Sequence, residues 1–391
     1  MKDINRVILM VMDSVGIGEL PDAEDYDDQG AATLQNIGTA VDGLELPNLE
    51  KLGLGKIESI AGISSDMEAE GAYGKAAEKS KGKDTTTGHW EIAGLISENS
   101  FPTYPNGFPA EVMDKFEKAI GKECLANKPA SGTVIIEELG EEHMESGKPI
   151  VYTSADSVFQ IAAHEDVIPV EELYDYCRKA RDILQGKHAV ARVIARPFVG
   201  EPGNFERTER RKDFSLTPPE PTILNNLKEA GYEVNAVGKI TYIFNHSGIT
   251  DSITTADNMD GVDKTLDYLK NSGQGLIFTN LVDFDQNYGH RRNVSGYAEA
   301  LKAFDQRIPE IRAAMKEDDL LIITADHGCD PSHKGTDHTR EYIPLVIYGD
   351  KLKNDIDLGV RSSFSDIAAT ISDIFELDGP VSGSSFLKML K

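Results

Sequence analysis

Three short apolar runs in this chain each lead into a carboxylate. Arg6 to Met12 ends at Asp13, Leu276 to Val282 runs into Asp283 and Asp285, and Leu320 to Thr324 is followed by Asp326. Runs this apolar, rich in β-branched residues and without polar alternation, read as strands buried on both faces. Such strands need a helix layer on each side of their sheet. Helical patterns lie between and after them, at Ile223 to Ala230, Val262 to Lys270, Tyr297 to Met315 and Ser365 to Phe375. Further strands read at Glu233 to Val237 and Pro344 to Tyr348. The alternation gives an α/β class with a mostly parallel sheet sandwiched by helices. Ligands of open α/β sheets bind beyond the carboxyl ends of the strands. That rule brings Asp13, Asp285 and Asp326 to one edge.

The last run opens the stretch LLIITADHGCDPSHKGTDH, Leu320 to His338, in which Gly328, Pro331 and Gly335 mark a loop. It carries His327, His333 and His338, and His290 follows Asp285 by five residues. Asp13, Asp285, His290, Asp326, His327 and His338 therefore make six good metal donors. That is more than one catalytic ion uses while keeping an open position, and suits two ions sharing a substrate oxygen. Oxygen and nitrogen donors without thiolate favour Mn(II) or Zn(II) over Mg(II). Cys329 reads as packing. A calcium loop starting at Asp283 fails, because Tyr288 stands where glycine is required and Val294 where glutamate is.

A second informative stretch is GKDTTTGHWEIAGL, Gly82 to Leu95. His89 to Leu95 reads as the first turns of a helix, which puts one or more of Thr85, Thr86 and Thr87 near its N-terminus. Free N–H groups and the helix dipole favour an anion there. A threonine hydroxyl becomes a useful nucleophile when a metal stabilises its alkoxide, and the same ions offset phosphoryl charge. The residues together describe a two-metal phosphoryl-transfer enzyme, with the choice among the three threonines open.

Proline-rich stretches at Ser97 to Pro109 and Thr217 to Pro221 bracket a segment with its own elements, read as an inserted domain. Helices are expected there at Glu111 to Ile120 and Val170 to Leu184, and strands at Ile150 to Thr153 and Ala189 to Ala195. Between Arg178 and Lys212 it holds ten Lys or Arg against four Asp or Glu. Arg178, Lys179 and Arg181 read as an exposed helix face. Arg192, Arg196, Arg207, Arg210 and Arg211 are better candidates for an anionic substrate, since the guanidinium fork suits phosphate.

The whole chain carries a formal charge of −26 over 391 residues. That excludes general nucleic-acid binding and disfavours an anionic membrane surface. The acidic run Pro21 to Gly30 reads as a solvated loop. Glycines 16 and 18 lack the third glycine of a dinucleotide fingerprint. Cys124, Cys177 and Cys329, an odd number without CxxC spacing, read as reduced thiols of a cytoplasmic protein. The apolar run after Arg6 is too short for a secretory leader, and no protein partner is evident.

The motifs VMDSVGIGELPDA, KDTTTGHWEIAGL, VDFDQNYGHRRN and TADHGCDPSHKGTDHTREYIPLV, with ARPFVGEPGNFERT in the insert, closely resemble those of the bacterial phosphopentomutases of the alkaline phosphatase superfamily. The resemblance implies an alkaline phosphatase-like core, residues 1–100 and 217–391, with a smaller α/β cap at 101–216. It further implies Thr85 as the phosphorylated nucleophile, with Asp13, Asp326 and His327 on one manganese ion and Asp285, His290 and His338 on a second. Ser154 and Asp156 match sugar-contacting positions, Arg192 and Arg207 phosphate-binding positions, and Lys239 a basic position on the core side. The implied reaction interconverts ribose 1-phosphate, or its 2-deoxy analogue, with the 5-phosphate through a bisphosphate intermediate, as in nucleoside catabolism and salvage. A sugar bisphosphate such as glucose 1,6-bisphosphate would prime Thr85. A hydrolase of the same superfamily is the nearest rival; a phosphoglycerate mutase and a noncatalytic binding module stand further off.

Overall fold

The computed structural model describes residues 4–154, 156–379 and 381–391. They form two compact units, Met1–Ser100 with Pro218–Lys391, and Phe101–Thr217. Strands β1 (Arg6–Met12) and β2 (Ala72–Ala76) precede the second unit. That unit holds β3 (Leu125–Pro129), β4 (Ile150–Thr153), β5 (Val158–His164), β6 (Arg192–Glu201), β7 (Asn204–Arg207) and β8 (Lys212–Ser215). The first unit resumes with β9 (Glu233–Val237), β10 (Asp251–Ile253), β11 (Gly275–Leu281), β12 (Asp319–Thr324), β13 (Ile343–Tyr348) and β14 (Ile356–Arg361).

The first unit's sheet has the order β10-β9-β11-β1-β12-β13-β2-β14. Strands from β10 to β12 pair in parallel, and β13 alone runs against its neighbours. Every residue of β1, β11 and β12 is buried, as parallel strands covered on both faces must be. Helices Thr33–Ala40, Asn258–Asn271 and Val294–Ala314 pack together as one group, while Thr85–Ile92, Ile223–Glu229 and Asp366–Phe375 form another. This is the alkaline phosphatase-like α/β architecture.

Arg6 pins the base of this sheet. Its Nε donates to Asp319 Oδ1 at 3.0 Å and its Nη1 to Leu269 O at 2.9 Å, so β1, β12 and a helix end are joined by one buried side chain. The register sets Val11 beside Asn280 and Thr324. Asp13, Asp285 and Asp326 then leave the sheet at a common edge.

The second unit has a mixed sheet, β3-β4-β5-β6-β7, with β8 also paired to β6. Alternate residues face two cores. Val151, Phe159 and Ile161 pack with Phe116, Leu173 and Cys177 on one side, and Ile150, Tyr152 and Ala162 with Ile135, Ile136 and Phe198 on the other. Strand β6 starts later and runs further than its sequence suggests, because Pro197 fits in register opposite Ala163. Helix Gly132–Ser146 is not expected from the sequence pattern. Arg181 is not on an open face: it turns inward and donates to Val190 O at 2.7 Å and to Leu184 O. The acidic run after Pro21 is not merely solvated either, since Asp22 and Asp28 engage Arg340 and Lys83. No described helix is long and apolar enough to cross a membrane.

His143 is buried in the second unit, its Nδ1 donating to Lys148 O at 2.6 Å and its Nε2 accepting the His164 N–H at 2.8 Å. The bond that Nε2 accepts requires the neutral ring, and burial pushes its pKa below the ordinary value. An unfolded histidine takes up its proton below about pH 6.5, before the folded one does. Stability is therefore full above that pH and falls as pH drops towards the folded pKa. In urea melts read by Cys177 labelling with a dipyridyl disulfide, the midpoint at pH 5 should lie below that at pH 7. The difference should shrink in His143→Gln.

Candidate metal centre

Asp13 follows β1 directly, and Asn280 of β11 donates to its Oδ2 at 2.8 Å. Its Oδ1 accepts no hydrogen bond and lies 3.5 Å from His327 Nε2. Asp326 is fixed in the same way. The Ser14 N–H donates to Oδ1 at 3.0 Å, while the unbonded Oδ2 stands 3.3 Å from His327 Nε2. His327 Nδ1 is 3.0 Å from Gly328 O, which fixes the proton on Nδ1 and turns the Nε2 lone pair towards the two carboxylates. Asp13, Asp326 and His327 thus form one tight donor group.

Asp285 lies in a wide helical turn, Phe284–Gly289, at the position of the rejected calcium loop. His290 Nε2 is 3.3 Å from its Oδ2 and His338 Nε2 3.4 Å from its Oδ1, with the two Nε2 atoms 3.1 Å apart. The His327 and His338 rings stand 4.0 Å apart, so the two groups are contiguous. Cys329 Sγ approaches Asp285 and His290. However, burial and then Asp285 hold its thiol far above the ordinary range, which keeps it a packing group without a cation beside it.

Thr85 joins this cluster. Its helix, Thr85–Ile92, begins four residues before His89 because Asp84 caps it, Oδ1 accepting from the Thr87 N–H at 3.1 Å. The Thr87 hydroxyl is spent on Asp84 Oδ2 at 2.6 Å, whereas Thr85 Oγ1 lies 3.2 Å from His327 Nε2. Geometry thus tells Thr85 from Thr87, whose hydroxyl is held by the cap. The helix comes close because residue 88 is glycine: a Cβ there would stand 2.1 Å from Asp326 O.

Three carboxylates share this dry edge, and burial pushes each upward. At Asp13 burial prevails, helped by Asp326 and Asp285, and the pKa lies well above the usual range. At Asp285 burial is outweighed by His338 and His290, and the pKa falls well below it. At Asp326, His327 and His89 likewise outweigh burial and lower it. Buried charge of one sign with unpartnered oxygens is expensive to keep. Two divalent cations would satisfy Asp13 Oδ1, Asp285 Oδ1 and Asp326 Oδ2 at once, so the donor set fits the expected metals.

Sequence reasoning missed two residues here. His89 is wholly buried, with Nδ1 2.9 Å from Thr85 O and 3.0 Å from Asp326 Oδ2. Asn280 is a polar residue inside a strand buried on both faces, where it needs a partner; that alone marks it. Lys239, before helix Ile240–Ile243, reaches Gln286 Oε1 at 3.0 Å.

Within the second unit, Ser154 is half-buried and accepts from the Asp156 N–H at 3.3 Å, with Asp156 exposed. Arg192 opens β6, 3.6 Å from Asp213, and Arg207 closes β7. Of the other candidate arginines, Arg196 donates to Gln160, Arg210 pairs with Glu165 and Arg211 with Asp213. Arg207 Nη1 and the unpartnered, buried Tyr152 hydroxyl meet at Gly132, where a Cβ would lie 3.1 Å and 2.7 Å from them. Tyr152 lies in the strand expected at Ile150 to Thr153, and nothing in the sequence marks it for a polar role.

The chain matches the metalloenzyme superfamily over residues 5–379. It is 59% identical over 384 residues to a phosphopentomutase of Acetivibrio thermocellus, covering 98% of this chain and 99% of the relative. It is 62% identical over 383 residues to a phosphopentomutase of Carboxydothermus hydrogenoformans, covering 98% of each. Among solved structures, the PH0037 protein from Pyrococcus horikoshii shares the fold at a TM-score of 0.51 and 15% identity, over 97% of this chain and all of that one. With its donor cluster at the carboxyl edge of an alkaline phosphatase-like sheet, the chain belongs to the phosphopentomutase family, and is an isomerase of the phosphotransferase type.

Proposed function

We propose that the chain interconverts ribose 1-phosphate, or 2-deoxyribose 1-phosphate, with the corresponding 5-phosphate, using Thr85 as a phosphorylated nucleophile. The convergence of Thr85 Oγ1 on His327 Nε2, at 3.2 Å and at a helix N-terminus, carries this reading. Asp13, Asp326 and His327 would hold one Mn(II), and Asp285, His290 and His338 a second. Bound there, the ions would lower the pKa of the threonine hydroxyl and offset charge on the phosphoryl oxygens.

Thr85 Oγ1 gives up its proton as it forms the new bond to phosphorus, and the sugar oxygen that leaves takes a proton. The helix N-terminus presents free N–H groups to the transferred phosphoryl. Phosphothreonine then gives its group to the unphosphorylated hydroxyl of the pentose phosphate. A pentose bisphosphate results, which returns its other phosphate to Thr85 after reorienting. Glucose 1,6-bisphosphate would prime Thr85 by the first half of this cycle. Lys239 on the first unit, and Ser154, Asp156, Arg192 and Arg207 on the second, are assigned to the sugar and its phosphate. Asn280 and His89 orient the carboxylates. Three free thiols among the described residues are consistent with the reducing cytoplasm in which nucleoside breakdown runs.

Phosphorus NMR of the enzyme with Mn(II), ribose 1-phosphate and a trace of glucose 1,6-bisphosphate should show ribose 5-phosphate without inorganic phosphate. Thr85→Ala should abolish it. Free phosphate as the main product would mean a hydrolase instead.

Asn280→Ala should weaken Mn(II) binding by roughly 10–100-fold, as loss of a ligand's supporting hydrogen bond does. Calorimetric titration checks it. Unchanged affinity would remove Asn280 from the centre.

A further inference from the structure

Arg340 lies two residues after His338, and its side chain is 1% exposed. Its Nη1 is 2.7 Å from Glu78 Oε2, 2.8 Å from Ser80 O and 2.8 Å from Gly82 O, and its Nη2 reaches Glu78 O at 3.1 Å. On its other side the guanidinium pairs with Asp22 at 3.1–3.2 Å. A buried guanidinium that takes three carbonyls from one short stretch holds a backbone path and not merely a charge.

That path ends at Thr85. Gly82 packs against the cap of the Thr85 helix, since a Cβ on it would stand 2.5 Å from Thr87 Oγ1 and 2.9 Å from Asp84 Oδ2. Arg340 is anchored equally firmly on the metal side. Its neighbour Thr339 exchanges backbone bonds with Gly328, at 2.7 and 3.1 Å, next to His327. One residue therefore ties the backbone carrying Thr85 to the backbone carrying His327.

We infer that Arg340 is a positioning residue for phosphoryl transfer: it sets Thr85 Oγ1 against the metal-side group formed by Asp13, Asp326 and His327. The inference rests on Thr85 being the nucleophile. In the priming step the Thr85 Oγ1–P bond forms and a sugar O–P bond of the bisphosphate breaks. The threonine proton is released and the departing sugar oxygen gains one, leaving a glucose monophosphate. Arg340 touches none of these atoms. It fixes the distance over which the first bond forms.

Removing Arg340 alone strands the Glu78 carboxylate, buried and unpaired, and the chain can fail to fold. The test therefore uses Arg340→Lys and the double variant Arg340→Leu/Glu78→Met, which removes both charges. Asp22, with its side chain 36% exposed, is left to water. Each metal-loaded chain is mixed with glucose 1,6-bisphosphate, and phosphate on the Thr85 peptide is followed against time by mass spectrometry. Melting temperature and Mn(II) binding are measured in parallel.

The double variant should melt near the parent and bind Mn(II), yet take the phosphoryl group roughly 10²-fold more slowly. Arg340→Lys, which keeps the charge but spans fewer carbonyls, should fall between. A merely structural role predicts that the labelling rate recovers with the melting temperature. Labelling at the parent rate in either folded variant overturns the inference and leaves the nucleophile intact. A parent chain that takes no label on Thr85 sinks the nucleophile reading, and the role of Arg340 with it.

Discussion

Three carboxylates buried at one edge of a parallel sheet are the constraint on which the rest of this structure depends. Asp13, Asp285 and Asp326 each present an oxygen that the protein leaves without a hydrogen bond. Histidines beside them supply only partial relief, and relieve them unequally: Asp13 rises while Asp285 and Asp326 fall. The chain maintains this arrangement against a large repulsion. It does so with backbone and side-chain donors that occupy the outer oxygens and leave the inner ones pointing at a common space. Ser14 N–H and Asn280 are the clearest cases.

The surroundings are built to the same end. The fully buried strands β1, β11 and β12 give the carboxylates fixed origins. Gly88 lets a helix reach the backbone of Asp326, which brings a hydroxyl to within 3.2 Å of His327. Phosphoryl transfer asks for position and charge more than for covalent participation, and those are what these elements provide.

The central strands, and the three carboxylates that follow them to one edge, are legible in the sequence because they obey strong rules. A strand buried on both faces has one reading, and a carboxylate at its end has one place to go. Peripheral strands are less legible. Strand β2, AYGKA, and strand β14, interrupted by Gly359, are short, half-exposed and poor in β-branched residues. Helix Gly132–Ser146 opens on Gly-Thr-Val, a weak start that masks the stronger helix formers behind it. Arg340 and Asp22 escape sequence reasoning for a different reason. A charged residue in a loop or on a helix reads as solvated unless its partner is known, and these partners lie up to 318 residues away. Long-range pairing, not local propensity, places them.

The position of β1 has a consequence for how the molecule is made. Among the described residues this strand pairs with β11 and β12, which begin at Gly275 and Asp319, more than 260 residues later in synthesis. At the usual rates of protein synthesis, its apolar residues wait roughly 13–50 s for the first of those partners. The second unit is completed during that interval and has its own cores and its own sheet. The nascent chain thus carries a folded segment downstream of an unsatisfied one. Until β11 emerges, the topology itself keeps an apolar strand open, the kind of surface on which a nascent chain aggregates or meets a chaperone.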